Sequence, residues 1–285
     1  MTKKWESTGR AARTTAATEE LLQRAATALR NGRHQDAERI ARDALAQDSQ
    51  HAGAWHLLGL ALLAQRRPRE AVAPLEEAAR RGADPVIETH LAIASRQAGR
   101  ASDALKWLER ATARQPAFPL AFHELGVLLF SLRRLDEAEV VLRRGIDAAP
   151  TVPELSVVLG GIFLDRADRA NAKIAFARAL ANAPGHPNAL CGLGTALMDD
   201  GEFAPAAERF RQALARDPAY TQARLNLGHC LLELAQQDEA VACLRAAVKA
   251  APQCYGAALR TLVTVGRGRF WLRPSAAAEF LRQGS

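Results

Sequence analysis

Five prolines, Pro116, Pro150, Pro184, Pro218 and Pro252, follow one another at intervals of 34 residues. A fixed period of roughly 20–50 residues marks a repeat architecture, in which each unit is one supersecondary element that buries its apolar face only against its neighbours. The small residues keep the same step. Ala92, Gly126, Gly160, Gly194 and Gly228 form one series, Ala104, Ala138, Ala172, Ala206 and Ala240 a second, and Ala111, Gly145, Ala179, Ala213 and Ala247 a third. Between these marks the apolar residues fall at helical spacing, as Leu190, Leu193, Leu197, Phe210 and Leu214 do. Each unit therefore reads as two helices. The first runs to a turn such as Asp199-Asp200-Gly201-Glu202, and the second stops at the proline, whose ring and missing N–H oppose continuation. The small residues have a mechanical role: two helices cross closely only where a side chain is absent or short. Glycine inside a helix costs up to about 1 kcal/mol relative to alanine, so its recurrence implies a shared packing geometry.

The pattern resembles the tetratricopeptide repeat family, whose helix–turn–helix units carry an aromatic residue or leucine early, then Leu-Gly, then Ala, Phe or Leu, Ala and Pro. The matching residues are Trp55, Leu58, Gly59, Ala71, Leu75 and Ala78 in one unit and Phe122, Leu125, Gly126, Ala138, Leu142, Gly145 and Pro150 in another. The resemblance implies an all-α, right-handed α-solenoid of seven helix–turn–helix units over residues 18–254. Their boundaries fall at 18–51, 52–84, 85–118, 119–152, 153–186, 187–220 and 221–254, the second unit being one residue short. Residues 1–17 read as a disordered lead-in and 255–265 as a capping helix. In the tail, 266–285, Gly266 and Gly268 turn the chain, and Phe270, Trp271 and Leu272 either pack back on the last unit or bind a partner.

Composition narrows the function classes. Aromatic residues make up 5% of the 285, too few for a strand-rich protein, and the net charge of +7 is a mild arginine excess that does not establish nucleic-acid binding. Cys191, Cys230, Cys243 and Cys254 have no metal-ligand or redox spacing and read as buried small hydrophobes in a reducing compartment. The basic first residues have no apolar h-region behind them and no later window gives 18 consecutive apolar residues, so the expected location is cytoplasmic, without membrane insertion. Catalytic constellations fail one by one. His123-Glu124 has Val127 where a zinc hydrolase needs its second histidine, and Gly266-x-Gly268 follows a helix and lacks the third glycine of a dinucleotide loop. Neither enzyme activity nor a cofactor or metal is expected.

Function is expected on surfaces. In the family that the chain resembles, the first helices of the units line a concave groove. Taking the second, fifth, ninth and twelfth residues of each unit as inward places there His56, Leu60, Leu63, Ile93, Arg96, His123, Val127, Phe130, Leu164, Met198 and His229, with Thr89, Leu120, Glu154, Val157, Asn188, Cys191, Thr195, Gln222, Leu225 and Leu232 among the other places. This mostly apolar set suits a peptide or an amphipathic helix of a protein partner. A second feature is a line of arginines in the turns, Arg33, Arg66, Arg67, Arg100, Arg133, Arg134, Arg166 and Arg169, a basic edge that would meet an anion. The leading expectation is an interaction scaffold or adaptor that holds a peptide in the groove. The alternatives are a subunit that recruits substrate for a glycosyl-, sulfo- or hydroxylating enzyme, and an RNA- or anion-binding solenoid. Nucleic acid is the less expected partner, and self-association through the apolar ends stays open.

Overall fold

The computed structural model describes residues 2–264, with side chains over 16–263. Its helices are α1 (Thr2–Arg30), α2 (His34–Gln47), α3 (Ala52–Ala64), α4 (Pro68–Arg81), α5 (Pro85–Gln97), α6 (Ala101–Thr112), α7 (Pro119–Ser131), α8 (Leu135–Ala148), α9 (Pro153–Asp165), α10 (Arg169–Asn182), α11 (Pro187–Asp199), α12 (Phe203–Arg216), α13 (Thr221–Glu233), α14 (Gln237–Ala250) and α15 (Tyr255–Thr264), the last preceded by a short 3-10 turn. No strand occurs among the described residues. The chain forms two compact bodies, α1–α7 and α8–α15, divided after Arg134. Within each body, consecutive helices pack on one another, as in a helical-repeat solenoid.

Helix starts follow from local chemistry. Proline occupies the first turn of α4, α5, α7, α9 and α11, where its fixed φ fits and its missing N–H would have had no partner anyway. Asp84 caps α5 by accepting from the Val86 N–H at 2.8 Å. Helix ends before the inter-helix turns repeat one device. At Gly32, Arg66, Gly99, Arg133, Ala167, Gly201 and Ala235 the backbone enters the left-handed region, with φ from 57° to 83°. The N–H of each of these residues returns to the carbonyl three residues back, and the next N–H to the carbonyl five back, as in Arg66 N–H to Leu63 and Arg67 N–H to Leu62. Glycine adopts this conformation freely, whereas Arg66, Arg133, Ala167 and Ala235 hold it at some strain, so the turn is imposed by the packing of the flanking helices.

The small-residue series sets that packing. A Cβ added to Gly59 would lie 2.4 Å from Leu75, one on Gly160 would lie 2.7 Å from Phe176, one on Gly194 2.8 Å from Phe210, and one on Gly228 2.8 Å from Leu244. In each case the glycine belongs to a first helix and the large side chain to the second helix of the same pair. Phe176 is held from both sides, because a Cβ on Gly192 of α11 would also meet its ring, at 2.3 Å.

The lead-in at 1–17 is helical from Thr2, since α1 begins there; its alanine-rich sequence contains no proline that would stop a helix. Among the described side chains of α1, Thr18 is the first that is buried. At the other end α15 packs on α13 and α14 with Ala258 and Leu262 fully buried, while the Phe270-Trp271-Leu272 triplet lies outside the described residues.

Candidate functional site

In the N-terminal body the first-type helices α3, α5 and α7 lie side by side. The side chains expected on their shared face are His56, Leu60 and Leu63 from α3, Ile93 and Arg96 from α5, and His123, Val127 and Phe130 from α7, and all are half-buried. Leu120 is half-buried as well, but Thr89 is fully buried and its hydroxyl donates to the Pro85 carbonyl at 2.6 Å. In the C-terminal body Leu164 of α9, Met198 of α11 and His229 of α13 are half-buried, as are Val157 and Thr195. Cys191, Leu225 and Leu232 are buried, and Glu154, Asn188 and Gln222 are exposed. Cys191, Leu225 and Leu232 are part of the apolar core of the C-terminal body.

The N-terminal face carries a polar network. His56 Nε2 and His90 Nδ1 lie 3.0 Å apart, with ring centroids 5.1 Å apart. Burial, reinforced by the neighbouring His90, pushes the His56 imidazole down to about 4, against a weaker opposing pull from Asp84. Burial lowers His90 too, partly offset by a hydrogen bond with the Val86 backbone and by Asp84. Arg96 Nη2 donates to Glu124 Oε2 at 2.8 Å, and His123 Nδ1 stands 3.6 Å from Glu124 Oε1. Burial pushes the Glu124 carboxyl up, but His123 and Arg96 outweigh it and hold the group below its usual range. Arg96 Nε and His123 Nδ1 are buried without a hydrogen-bond partner. Polar atoms in that state are uncommon in folded proteins and favour an incoming acceptor or donor.

His90 and Glu124 are absent from the residues picked out by sequence. His90 follows His56 by 34 residues, but the one-residue shortfall in the second unit moves it to the sixth place of α5 instead of the fifth, so a fixed register misses it. Glu124 sits one residue beyond His123, and only its partner Arg96, 28 residues earlier, reveals its role.

The arginine edge is interleaved with carboxylates. Arg67 donates to Glu38 at 2.9 Å and also pairs with Glu70; Arg100 pairs with Asp103 at 2.8 Å and Glu76 at 3.6 Å. Arg166 pairs with Glu139 at 2.6 Å and with Asp136, and Arg169 pairs with Asp200. Several of these bonds join one repeat to the next, as Arg67 to Glu38 does, so they tie the stack together and offset the charge of the edge. Exposed pairs of this kind contribute little to stability individually. Arg66 and Arg133 occupy the left-handed turn position already described.

Among the described residues no cluster of three or more His, Cys, Asp or Glu side chains could hold a metal ion, and no helix is long and apolar enough to cross a membrane. Burial pushes Cys191 up and Cys230 up to about 12, away from the reactive thiolate form.

A family model described as tetratricopeptide repeat matches residues 22–85 and 90–153, and a second with the same description matches residues 197–264. No curated protein matches the chain. Among solved structures, a chain of the APC/C hetero-tetramer Cut9–Hcn1 superposes with a TM-score of 0.69 at 17% identity, over 84% of this chain and 48% of that one. The present chain thus spans about half the length of that relative. PilF of Pseudomonas aeruginosa superposes at 0.65 and 14% identity, over 74% of this chain and 96% of PilF. YrrB, described as a protein of this repeat type with an unusual peptide-binding site, superposes at 0.50 and 17% identity, over 64% of this chain and 95% of YrrB. At these identities the likeness establishes the fold.

Proposed function

The chain belongs to the tetratricopeptide repeat family, whose repeats serve in general as scaffolds for protein–protein interaction, and on that premise we propose that it holds a peptide or helical segment of a protein partner on the face of α3, α5 and α7. The observation that carries this reading is the combination of five half-buried apolar side chains, Leu60, Leu63, Ile93, Val127 and Phe130, with two buried nitrogen atoms, Arg96 Nε, which has no hydrogen-bond partner, and His123 Nδ1, which stands 3.6 Å from Glu124 Oε1. An extended peptide meets both needs at once: its side chains cover the apolar positions and its carbonyls accept from the buried donors. YrrB, of the same fold, is described by its peptide-binding site. The carboxylates paired with the arginine edge leave an anion-binding reading with less support.

The test is crosslinking of the whole chain to its partner, identified by mass spectrometry, followed by binding measurements on Leu60→Glu, Val127→Glu and Phe130→Glu, each checked for unchanged helical circular dichroism. A carboxylate on this face should weaken the partner at least tenfold in each variant. Unchanged affinity in all three overturns the reading.

A further inference from the structure

The second-helix side of the C-terminal body holds a cleft that the repeat grid does not require. α8, α9 and α10 enclose about 190 Å³ over a floor of Leu159 and Phe163. Two small side chains leave it open. Ser156 takes the fourth place of α9, where α3, α7 and α11 put Trp55, Phe122 and Leu190. Ala175 takes the seventh place of α10, where α6, α8, α12 and α14 put Trp107, Val141, Arg209 and Cys243. Ser156 is 1% and Ala175 5% exposed, so the missing volume lies within the wall of the body. An apolar cavity of about 150 Å³ admits benzene, so this one has room for a single aromatic ring.

The lip and the mouth describe what would fill it. Ile174 is 67% exposed at the edge of the cleft, and Val140, at the corresponding place on α8, is 59% exposed; they are two of the four large apolar side chains exposed among the described residues. Ile174 thus presents an apolar side chain at the lip of the cleft. The lining also includes two arginines, Arg143 and Arg178, and one carboxylate, Asp147. Arg143 lies 5.8 Å above the Phe163 ring and is already paired with Glu139 at 2.8 Å, whereas Arg178 forms no ion pair among the described residues. With Arg143 matched by Glu139, Arg178 is the guanidinium left at the rim without an ion pair among the described residues.

We propose that this cleft is a second docking site, which takes one aromatic side chain of a partner protein presented next to a carboxylate. The aromatic ring replaces the side chain that Ser156 and Ala175 fail to supply, and the carboxylate pairs with Arg178. The site rests on α8, α9 and α10 alone and is independent of the face formed by α3, α5 and α7.

Methyl-resolved NMR of the whole chain tests it, with acetyl-Glu-Trp-Glu-amide as probe and the Lys-Trp-Lys and Glu-Ala-Glu analogues as controls. The first peptide should shift the Ile174, Ala175 and Leu159 methyl signals saturably, the lysine analogue should bind at least fivefold more weakly, and the alanine analogue should leave the signals in place. Ala175→Val, which copies the side chain of Val141, should weaken the first peptide about tenfold, and the surface change Arg178→Glu at least fivefold. Phe130→Glu should leave this binding unchanged, which separates failure of the cleft from failure of the groove. The proposal is overturned if the Glu-Trp-Glu peptide moves no methyl of the cleft, if the lysine analogue binds equally well, or if both Ala175→Val and Arg178→Glu bind as the parent does.

Discussion

At the fourth residue of their helices, α5 and α9 both lack the large apolar side chain that Trp55, Phe122 and Leu190 provide, and they replace it in opposite ways. In α5 the position is Glu88, fully buried, accepting from Arg110 Nη2 at 3.0 Å and from Arg114 Nη2 at 2.9 Å. In α9 it is Ser156, equally buried, and the space beside it stays open as the cleft. The backbone path through both helices is nevertheless the same, with proline at the start, the left-handed turn at the end and a small residue facing the second helix. Helix placement is therefore fixed by those repeated positions, and a buried charge or a void can be tolerated between them. The variable position is where one repeat acquires chemistry that its neighbours lack.

The largest expected effect breaks the α5 solution. Arg110→Ala combined with Arg114→Ala leaves the Glu88 carboxylate unpartnered at zero exposure, and loss of a partner from a buried ion pair costs roughly 3–5 kcal/mol. Urea denaturation of the double variant measures it. Glu88→Leu, which restores the residue type of Leu190, should be neutral or stabilising, since well-packed apolar side chains often equal a buried pair. A double variant within 1 kcal/mol of the parent would show that Glu88 does not depend on these arginines.

Acid should act next, and on the N-terminal body. The folded state holds His56 down to about 4, below its value near 6.5 in the unfolded chain, so the unfolded chain takes up the proton first. Stability is full above about pH 6.5 and is lost as pH falls toward 4, by up to about 3 kcal/mol. Denaturation at pH 7 and 4.5 should show this slope, and His56→Gln should flatten it. Hydrogen exchange at pH 4.5 should rise in α3 and α5 more than in α9 and α10.

Smaller effects sharpen the α9 side. Gly160→Ala forces a methyl onto the Phe176 ring and should cost about 1–3 kcal/mol, whereas a Cβ on its neighbour Gly161 meets nothing within 4 Å, so Gly161→Ala should stabilise by up to about 1 kcal/mol. Opposite signs for adjacent residues in one helix would be read directly from two thermal melts. Smallest of all, Ala175→Val should stabilise by about 1 kcal/mol as the added methyl groups enter the cleft; a loss of that size would mean the cleft has no room for them.

Legibility in the sequence follows the same division. The small residues announced the crossings because a missing Cβ is written in the residue type itself, and Gly59, Gly160, Gly194 and Gly228 each face a Leu or Phe as that logic requires. The turns were partly legible: Gly32, Gly99 and Gly201 stand at left-handed positions, but nothing in the letters of Arg66, Arg133, Ala167 or Ala235 signals φ near +60°. The half-buried face was read from a fixed register, which located His56, His123 and Phe130 but passed over His90 and Glu124, because their roles depend on a partner from another helix.

Period, helix count per unit and close-packing positions were thus determined by the sequence alone, since each is a local property repeated at a constant step. Which arginines are matched by carboxylates, how Glu88 is stabilised and why Ser156 and Ala175 together leave a cleft were decided only in the tertiary structure. These depend on side chains about 20 or more residues apart meeting across helices, and the energies of such meetings come from distance and burial, which the order of residues does not contain.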